Sequence, residues 1–176
     1  MTDLKRLIRT IPDFPEPGIQ YRDITTLLQD PGGLREAVRH MAGAYRDAPP
    51  DFVAGIDARG FIFGAAVAIE LGCGFVPIRK AGKLPGETIE QDYDLEYGSA
   101  TLQIHTQGRR AGERAVLIDD LIATGGTALA GVSLLRATGA EVVGACFLVD
   151  LPDLGGAKKL ETAGVPTRAL VSFDSH

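Results

Sequence analysis

Short apolar runs and longer amphipathic stretches alternate along most of this chain. "DFVAGI", "CGFVPIR", "GERAVLIDDL", "AEVVGACFLVDL" and "PTRALVSF" are dense in Val, Ile, Leu and Phe and are bounded by glycine, proline or charge. Such runs read as buried strands. "SATLQIH" alternates apolar and polar and reads as a further strand. Between the runs lie stretches with helical spacing: "ARGFIFGAAVAIELG", "GGTALAGVSLLRATG" and the shorter "LGGAKKLETAG". An earlier one, "PGGLREAVRHMAGAYRDA", puts Leu34, Val38, Met41 and Tyr45 on one face. Strand and helix in alternation predict an α/β fold: a mostly parallel central sheet flanked by helices on both faces.

Two regions break the rhythm. "TDLKRLIRT" predicts a short opening helix, capped by Thr2, with Leu4, Leu7 and Ile8 on one face. The proline-rich "IPDFPEPG" after it cannot stay helical and reads as a rigid loop. Together these predict a small N-terminal hood over residues 1–30, on a single domain spanning residues 1–176. The second region, "KAGKLPGETIEQDYDLEYG", is polar, interrupted by glycine and proline, and too long for an ordinary connection. It predicts a lid loop or a disordered segment over residues 80–98.

In parallel α/β sheets, ligands bind outside the carboxyl ends of the strands. Three marked loops fall there: "DARG" after residues 52–56, the long loop after residues 75–78, and "DDLIATGGT" after residues 114–118. In the last of these, Ala123, Thr124, Gly125, Gly126 and Thr127 join a strand to a helix. Paired glycines let the backbone turn and present its N–H groups. A helix N-terminus adds unpaired N–H groups and partial positive charge, and the two threonines add hydroxyls. That is a cradle for a phosphate monoester. No lysine follows the glycines, so it is not a Walker A loop, and no GxGxxG is present. An ordinary helix cap by Thr124 or Thr127 would use the same chemistry.

The preceding Asp119 and Asp120 decide between the two readings. Adjacent carboxylates repel, and burying them without partners is costly. A ribose 5-phosphate lying across the loop supplies partners, because its vicinal hydroxyls donate to both acids. The same pair is a candidate ligand for Mg²⁺, directly or through water.

Charge and cysteine content narrow the setting. The net charge is −5 and no long basic run occurs, which argues against a nucleic-acid partner. Cys73 and Cys146 form no CxxC pair, so a disulfide framework is not expected and a reducing compartment is. No stretch is long and apolar enough to span a membrane, and no signal core is present, so the cytoplasm is expected. His40, His105 and His176 are scattered and suggest no metal site.

"VLIDDLIATGGT" resembles the signature of type I phosphoribosyltransferases, which bind phosphoribosyl pyrophosphate. Four more stretches extend the resemblance over nearly the whole chain: "DFPEPGIQYRDIT", "GIDARGFIFG", "VPIRKAGKLPGETI" and "YDLEYG". They resemble the branch of the family that acts on adenine. The resemblance implies magnesium-dependent purine salvage: adenine plus phosphoribosyl pyrophosphate gives AMP and pyrophosphate, in a homodimer. It implies that Asp57, Ala58 and Arg59 form a pyrophosphate loop, with a non-proline cis peptide at its start. Arg79, Lys80 and Lys83 would neutralise the leaving pyrophosphate, with Arg79 a candidate to serve the neighbouring subunit. Glu96 matches the family's catalytic glutamate. Tyr21 would stack on the purine, while Arg22 and backbone groups at residues 19–21 read its edge. The family more often has phenylalanine at position 21, so the tyrosine hydroxyl needs a partner. Two alternatives stay open. Transferases for hypoxanthine, guanine or xanthine would use the same cradle. A non-catalytic sensor of phosphoribosyl pyrophosphate would carry a nucleic-acid-binding element, for which this chain shows no basic face.

Overall fold

The structure, a computed structural model, describes residues 3–94, 98–108 and 111–174. It opens with a 3-10 turn, Leu4–Leu7, capped by Asp3, which accepts from the Lys5 N–H. The helix expected over the opening residues is therefore confined to four positions. Thr2, expected as its cap, lies outside the described residues. From Arg9 the chain is extended as β1 (Arg9–Pro12) and pairs antiparallel with β2 (Gln20–Asp23). The physical reason is local: Ile8, Thr10 and Ile11 are β-branched, and Pro12 would end any helix that reached it.

Next come α1 (Thr25–Gln29) and α2 (Pro31–Gly43). The start of α2 is written in "DPGG": Asp30 accepts from Gly33 N at 2.6 Å, and Pro31 occupies the first turn. The alternating part follows as β3 (Phe52–Ile56), α3 (Arg59–Leu71), β4 (Gly74–Lys80), β5 (Thr88–Asp94), β6 (Ser99–His105) and β7 (Arg114–Ile122). It continues as α4 (Gly126–Ala137), β8 (Glu141–Asp150), α5 (Gly156–Thr162) and β9 (Thr167–Ser172).

The main sheet has the order β5-β6-β4-β3-β7-β8-β9. From β4 to β9 every pairing is parallel, whereas β6 and β5 are antiparallel additions at one edge. The mostly parallel sheet expected from the alternation is present, but the expected lid loop needs correction. Thr88 to Asp94 pair in unbroken register with His105 to Ser99. Ile89 and Tyr93 pack against the core, while Glu90, Asp92 and Asp94 face outward. Two apolar side chains at a spacing of four were too faint a period-2 signal among so many polar neighbours.

Two cores lie on opposite faces. Along β3, Phe52, Ala54 and Ile56 join Leu134 and Leu135 of α4 and Leu160 of α5. Val53 joins Ala37 and Met41 of α2 and Phe63 and Val67 of α3. Successive side chains of a strand point to opposite faces, so a strand buried on both sides must be apolar throughout. Each large aliphatic or aromatic side chain buried in this way contributes about 1.5–3 kcal/mol.

Candidate active site

Chain order reverses in the sheet between β3 and β7. From β3 the chain crosses through α3 to β4 on one side; from β7 it crosses through α4 to β8 on the other. The turns after β3 and β7 therefore diverge and leave a crevice at the strands' carboxyl ends. A cavity of about 460 Å³ lies there, lined from both turns by Asp57, Ala58, Arg59, Asp119, Asp120 and residues 121–128. Lys80 of β4 and Tyr93 of β5 complete its wall.

The cradle has the expected backbone. Gly125 precedes α4 with φ 83°, a left-handed conformation that a side chain opposes. No side chain caps this helix, so the threonines are not spent as caps. The first N–H groups of a helix have no partner within it, and those of α4 begin at the cavity wall. The bland reading, a threonine-capped turn, is not what the chain builds.

Both acids line the cavity, although they sit within β7 and not in the loop after it. Leu121 and Ile122 continue the pairing with Val149 and Asp150. Neighbouring strand residues point to opposite faces, yet the Asp119 carboxylate curls back to accept from the Asp120 N–H at 2.9 Å. It packs tightly on α3: a Cβ at Gly60 would lie 2.8 Å from Asp119 Oδ1. Burial first, and then the charge of Asp120, push the Asp119 carboxyl well above its ordinary range. The buried Asp120 Oδ2 meets Arg59 Nε at 2.8 Å, as an ion pair without hydrogen-bond alignment. Two acids this close, Asp119 and Asp120, favour ligands that bring donors or positive charge.

Arg59 also answers the question left by Tyr21. Its Nη1 donates to the Tyr21 hydroxyl at 2.5 Å, and its guanidinium lies 5.8 Å from the tyrosine ring centre. One arginine thus ties the hood to the acid pair. Arg22 is placed elsewhere. It donates to Thr10 Oγ1 and to the Asp174 carbonyl, both at 2.6 Å, and covers the ring of Phe173. Because β2 is a strand, Tyr21 and Arg22 point to opposite sides of the hairpin.

The peptide between Asp57 and Ala58 is cis, as the resemblance implied. Arg79 Nε and Lys83 Nζ each lie 3.2 Å from Asp57 Oδ2. Burial alone would raise Asp57, but bonds and charges from Lys83 and Arg79 outweigh it and hold the carboxyl below its ordinary range. Gln103 of β6 fixes the intervening turn by accepting from Gly82 N at 2.9 Å. Glu96 lies outside the described residues. Its flank does not: an added Cβ at Gly126 would come within 3.1 Å of the Asp94 carbonyl oxygen, so the end of β5 abuts the cradle.

Three residues at the site were not anticipated: Tyr93, Gly156 and Lys159. Tyr93 was hidden in the polar stretch taken for a loop. Gly156 and Lys159 come from α5, 33 and 35 positions beyond the carbonyls they bond. Gly156 N donates to the Ala123 carbonyl at 3.0 Å and Lys159 Nζ to the Thr124 carbonyl at 2.8 Å. The "GG" opening α5 was the one available signal.

The sequence profile of the phosphoribosyl transferase domain matches residues 23–166. The chain belongs to this phosphoribosyltransferase family, and within it to the adenine phosphoribosyltransferases. It is 58% identical over 174 residues to the adenine phosphoribosyltransferase of Erythrobacter litoralis, covering 99% of this chain and 98% of that one. The crystal structure of the Thermoanaerobacter pseudethanolicus adenine phosphoribosyltransferase superposes with a TM-score of 0.92 at 44% identity, covering 97% and 98% of the two chains. The Trypanosoma brucei enzyme, solved with AMP, pyrophosphate and ribose-5-phosphate, gives 0.88 at 30% identity, with coverage of 96% and 77%.

Proposed function

We propose that this enzyme transfers the 5-phosphoribosyl group of phosphoribosyl pyrophosphate to adenine, releasing AMP and pyrophosphate in purine salvage. The observation that carries this reading is one cavity shared by an uncapped helix start and two adjacent carboxylates. A phosphate monoester and a vicinal diol, joined through a ribose, satisfy both at once. The names of the relatives supply the base.

In this reading the 5-phosphate rests on the N–H groups and hydroxyls of residues 124–127, and the ribose hydroxyls donate to Asp119 and Asp120. The pyrophosphate leaves toward the turn at residues 57–59, where Lys80 and the Arg79–Lys83 pair offset its charge. Displacement at the anomeric carbon passes through a transition state with oxocarbenium character. The protein positions the reactants, neutralises charge and excludes water, which would otherwise hydrolyse the donor. Adenine stacks under Tyr21. Glu96, two residues past the Asp94 that abuts the cradle, takes the purine proton or stabilises the charge on the imidazole side of the ring.

Asp119 and Asp120 fit a magnesium ion that arrives with the donor. Mg²⁺ is typically held by one or two carboxylates together with substrate phosphates. Asp120 Oδ2 accepts no hydrogen bond and has only its ion pair with Arg59, so it has capacity for such a ligand, and no cluster of three or more His, Cys, Asp or Glu among the described residues could hold a metal unaided. Bound there, the ion would supply positive charge to the leaving pyrophosphate.

The homodimer of this reading is supported by α3, where Ile62 and Ile69 share one face and are 42% and 82% exposed. A cytoplasmic setting is supported by the unpaired thiols of Cys73 and Cys146. No helix among the described residues is long and apolar enough to cross a membrane.

The test is a competition among adenine, hypoxanthine, guanine and xanthine, each supplied with phosphoribosyl pyrophosphate and Mg²⁺. Adenine should be consumed and the three oxopurines spared. Preferential consumption of an oxopurine would overturn the base assignment.

A further inference from the structure

The cradle must present its N–H groups to an anion, yet nothing in "ATGGT" itself says which way they turn. A trans peptide is planar, and its carbonyl and N–H point in opposite directions. Whatever holds the carbonyl on one side aims the N–H at the other. Two successive carbonyls of this loop are held from the same element. Gly156 N, at the start of α5, donates to the Ala123 oxygen at 3.0 Å. Lys159 Nζ, one turn further on, donates to the Thr124 oxygen at 2.8 Å. The corresponding N–H groups belong to Thr124 and Gly125, the first two of the cradle.

The fit between the elements is close. A Cβ at position 156 would collide with the Ala123 oxygen, and one at position 125 would lie 2.9 Å from the Gly156 Cα. The geometry points to Lys159 as a positioning residue for the 5-phosphate: it holds the Thr124 carbonyl away from the cavity, so that the Gly125 N–H is aimed at the anion before it arrives. Lys159 is not among the residues lining the cavity, so it acts through the loop. The inference rests on the reading of residues 124–127 as the phosphate cradle. It explains why a lysine can serve a phosphate loop that has none in its own sequence.

The test is Lys159→Met in the full chain, with Lys159→Arg as the conservative variant. For Met, KM for phosphoribosyl pyrophosphate and Kd for AMP should rise about tenfold, the scale of one charge-assisted hydrogen bond. The kcat, KM for adenine and thermal midpoint should stay near wild type. Arg, which can still donate to the carbonyl, should restore most of the loss. The deficit should persist in about 1 M KCl, where the Debye length falls to roughly 3 Å and distant attraction to the anion is screened. A deficit that vanishes in salt would make Lys159 only a remote positive charge. A Met variant with wild-type KM and Kd would overturn the inference outright. Thr127→Val serves as the control for the underlying reading. If it weakens AMP binding while Lys159→Met does not, the cradle stands and the role of Lys159 falls. If wild type binds no AMP, the reading of the cradle itself fails.

Discussion

Every residue of β3 is buried, whereas none of β5 is. The two strands lie in one sheet, three positions apart, and both reach the same cavity. β3 and its neighbour β7 are covered on both faces by separate cores, and their turns are fixed by close backbone packing. β5 is an edge strand, held by its pairing with β6 and by Ile89 and Tyr93. Segments with few buried contacts open at lower free-energy cost than a doubly covered core. The difference suggests a division of labour. Under the proposed function, the parallel rim would be a preformed seat for the phosphoribosyl group, and the antiparallel edge would bring the groups that act once the seat is filled.

That division can be broken from either side. The largest effect is expected at the edge. Glu96→Gln keeps size and an acceptor but removes the charge and most of the basicity. Its kcat should fall by roughly 10²–10⁴, the range for a positioned acid–base group. KM for the donor should change little, because the rim holds that ligand. The measurement is steady-state kinetics with adenine varied at saturating donor. A variant within about threefold of wild type has lost less than about 1 kcal/mol, too little for a catalytic role.

At the rim, Gly125→Val should lower kcat/KM by at least about 10²-fold, the scale of a misplacement of about 1 Å at a site. Unlike the Glu96 variant, it should also weaken AMP binding. Its thermal midpoint should fall as well, because the new side chain meets the Gly156 backbone. Full turnover in a folded variant would put the phosphate elsewhere.

The smallest effect belongs to the hood, which should matter to stability and not to the rim. Hydrogen bonds from Thr25, and then Arg9, hold the Asp23 carboxyl at about 2, below its ordinary 3.8. A depressed acid contributes stability above its unfolded value and loses it as protons bind to the folded form. The denaturant midpoint should therefore decline as pH falls from about 4 toward about 2, and Asp23→Asn should flatten that part of the profile. An unchanged slope in the Asn variant would remove Asp23 from the account.

The same contrast explains what the sequence revealed. β3 is apolar throughout, and β7 and β8 carry long apolar runs at residues 115–118 and 142–149, because both faces are covered, so they stand out in any reading of the pattern. "DDLIATGGT" and "DARG" were legible because each joins a strand to a helix within a few contiguous residues. β5 was not legible: an edge strand with one thin apolar face looks like a polar loop. The opening helix was overread because Leu4, Leu7 and Ile8 fit helical spacing, whereas Pro12 and the pairing of residues 9–12 with residues 20–23 overrule it. Lys159 was invisible because a side chain that holds a distant carbonyl leaves no local motif. The turning of the Arg22 side chain away from Tyr21 was not legible, because strand alternation appears only once β2 is seen to be a strand.

A crystal structure of the AMP complex tests the central claim most directly. The account predicts the 5-phosphate on the N–H groups of residues 124–127 at about 2.7–3.2 Å, the range of N–H···O hydrogen bonds. It predicts the ribose hydroxyls on Asp119 and Asp120, the purine against Tyr21, and the Thr124 carbonyl still on Lys159. A phosphate bound away from the start of α4, or ribose hydroxyls without contact to either acid, would contradict it.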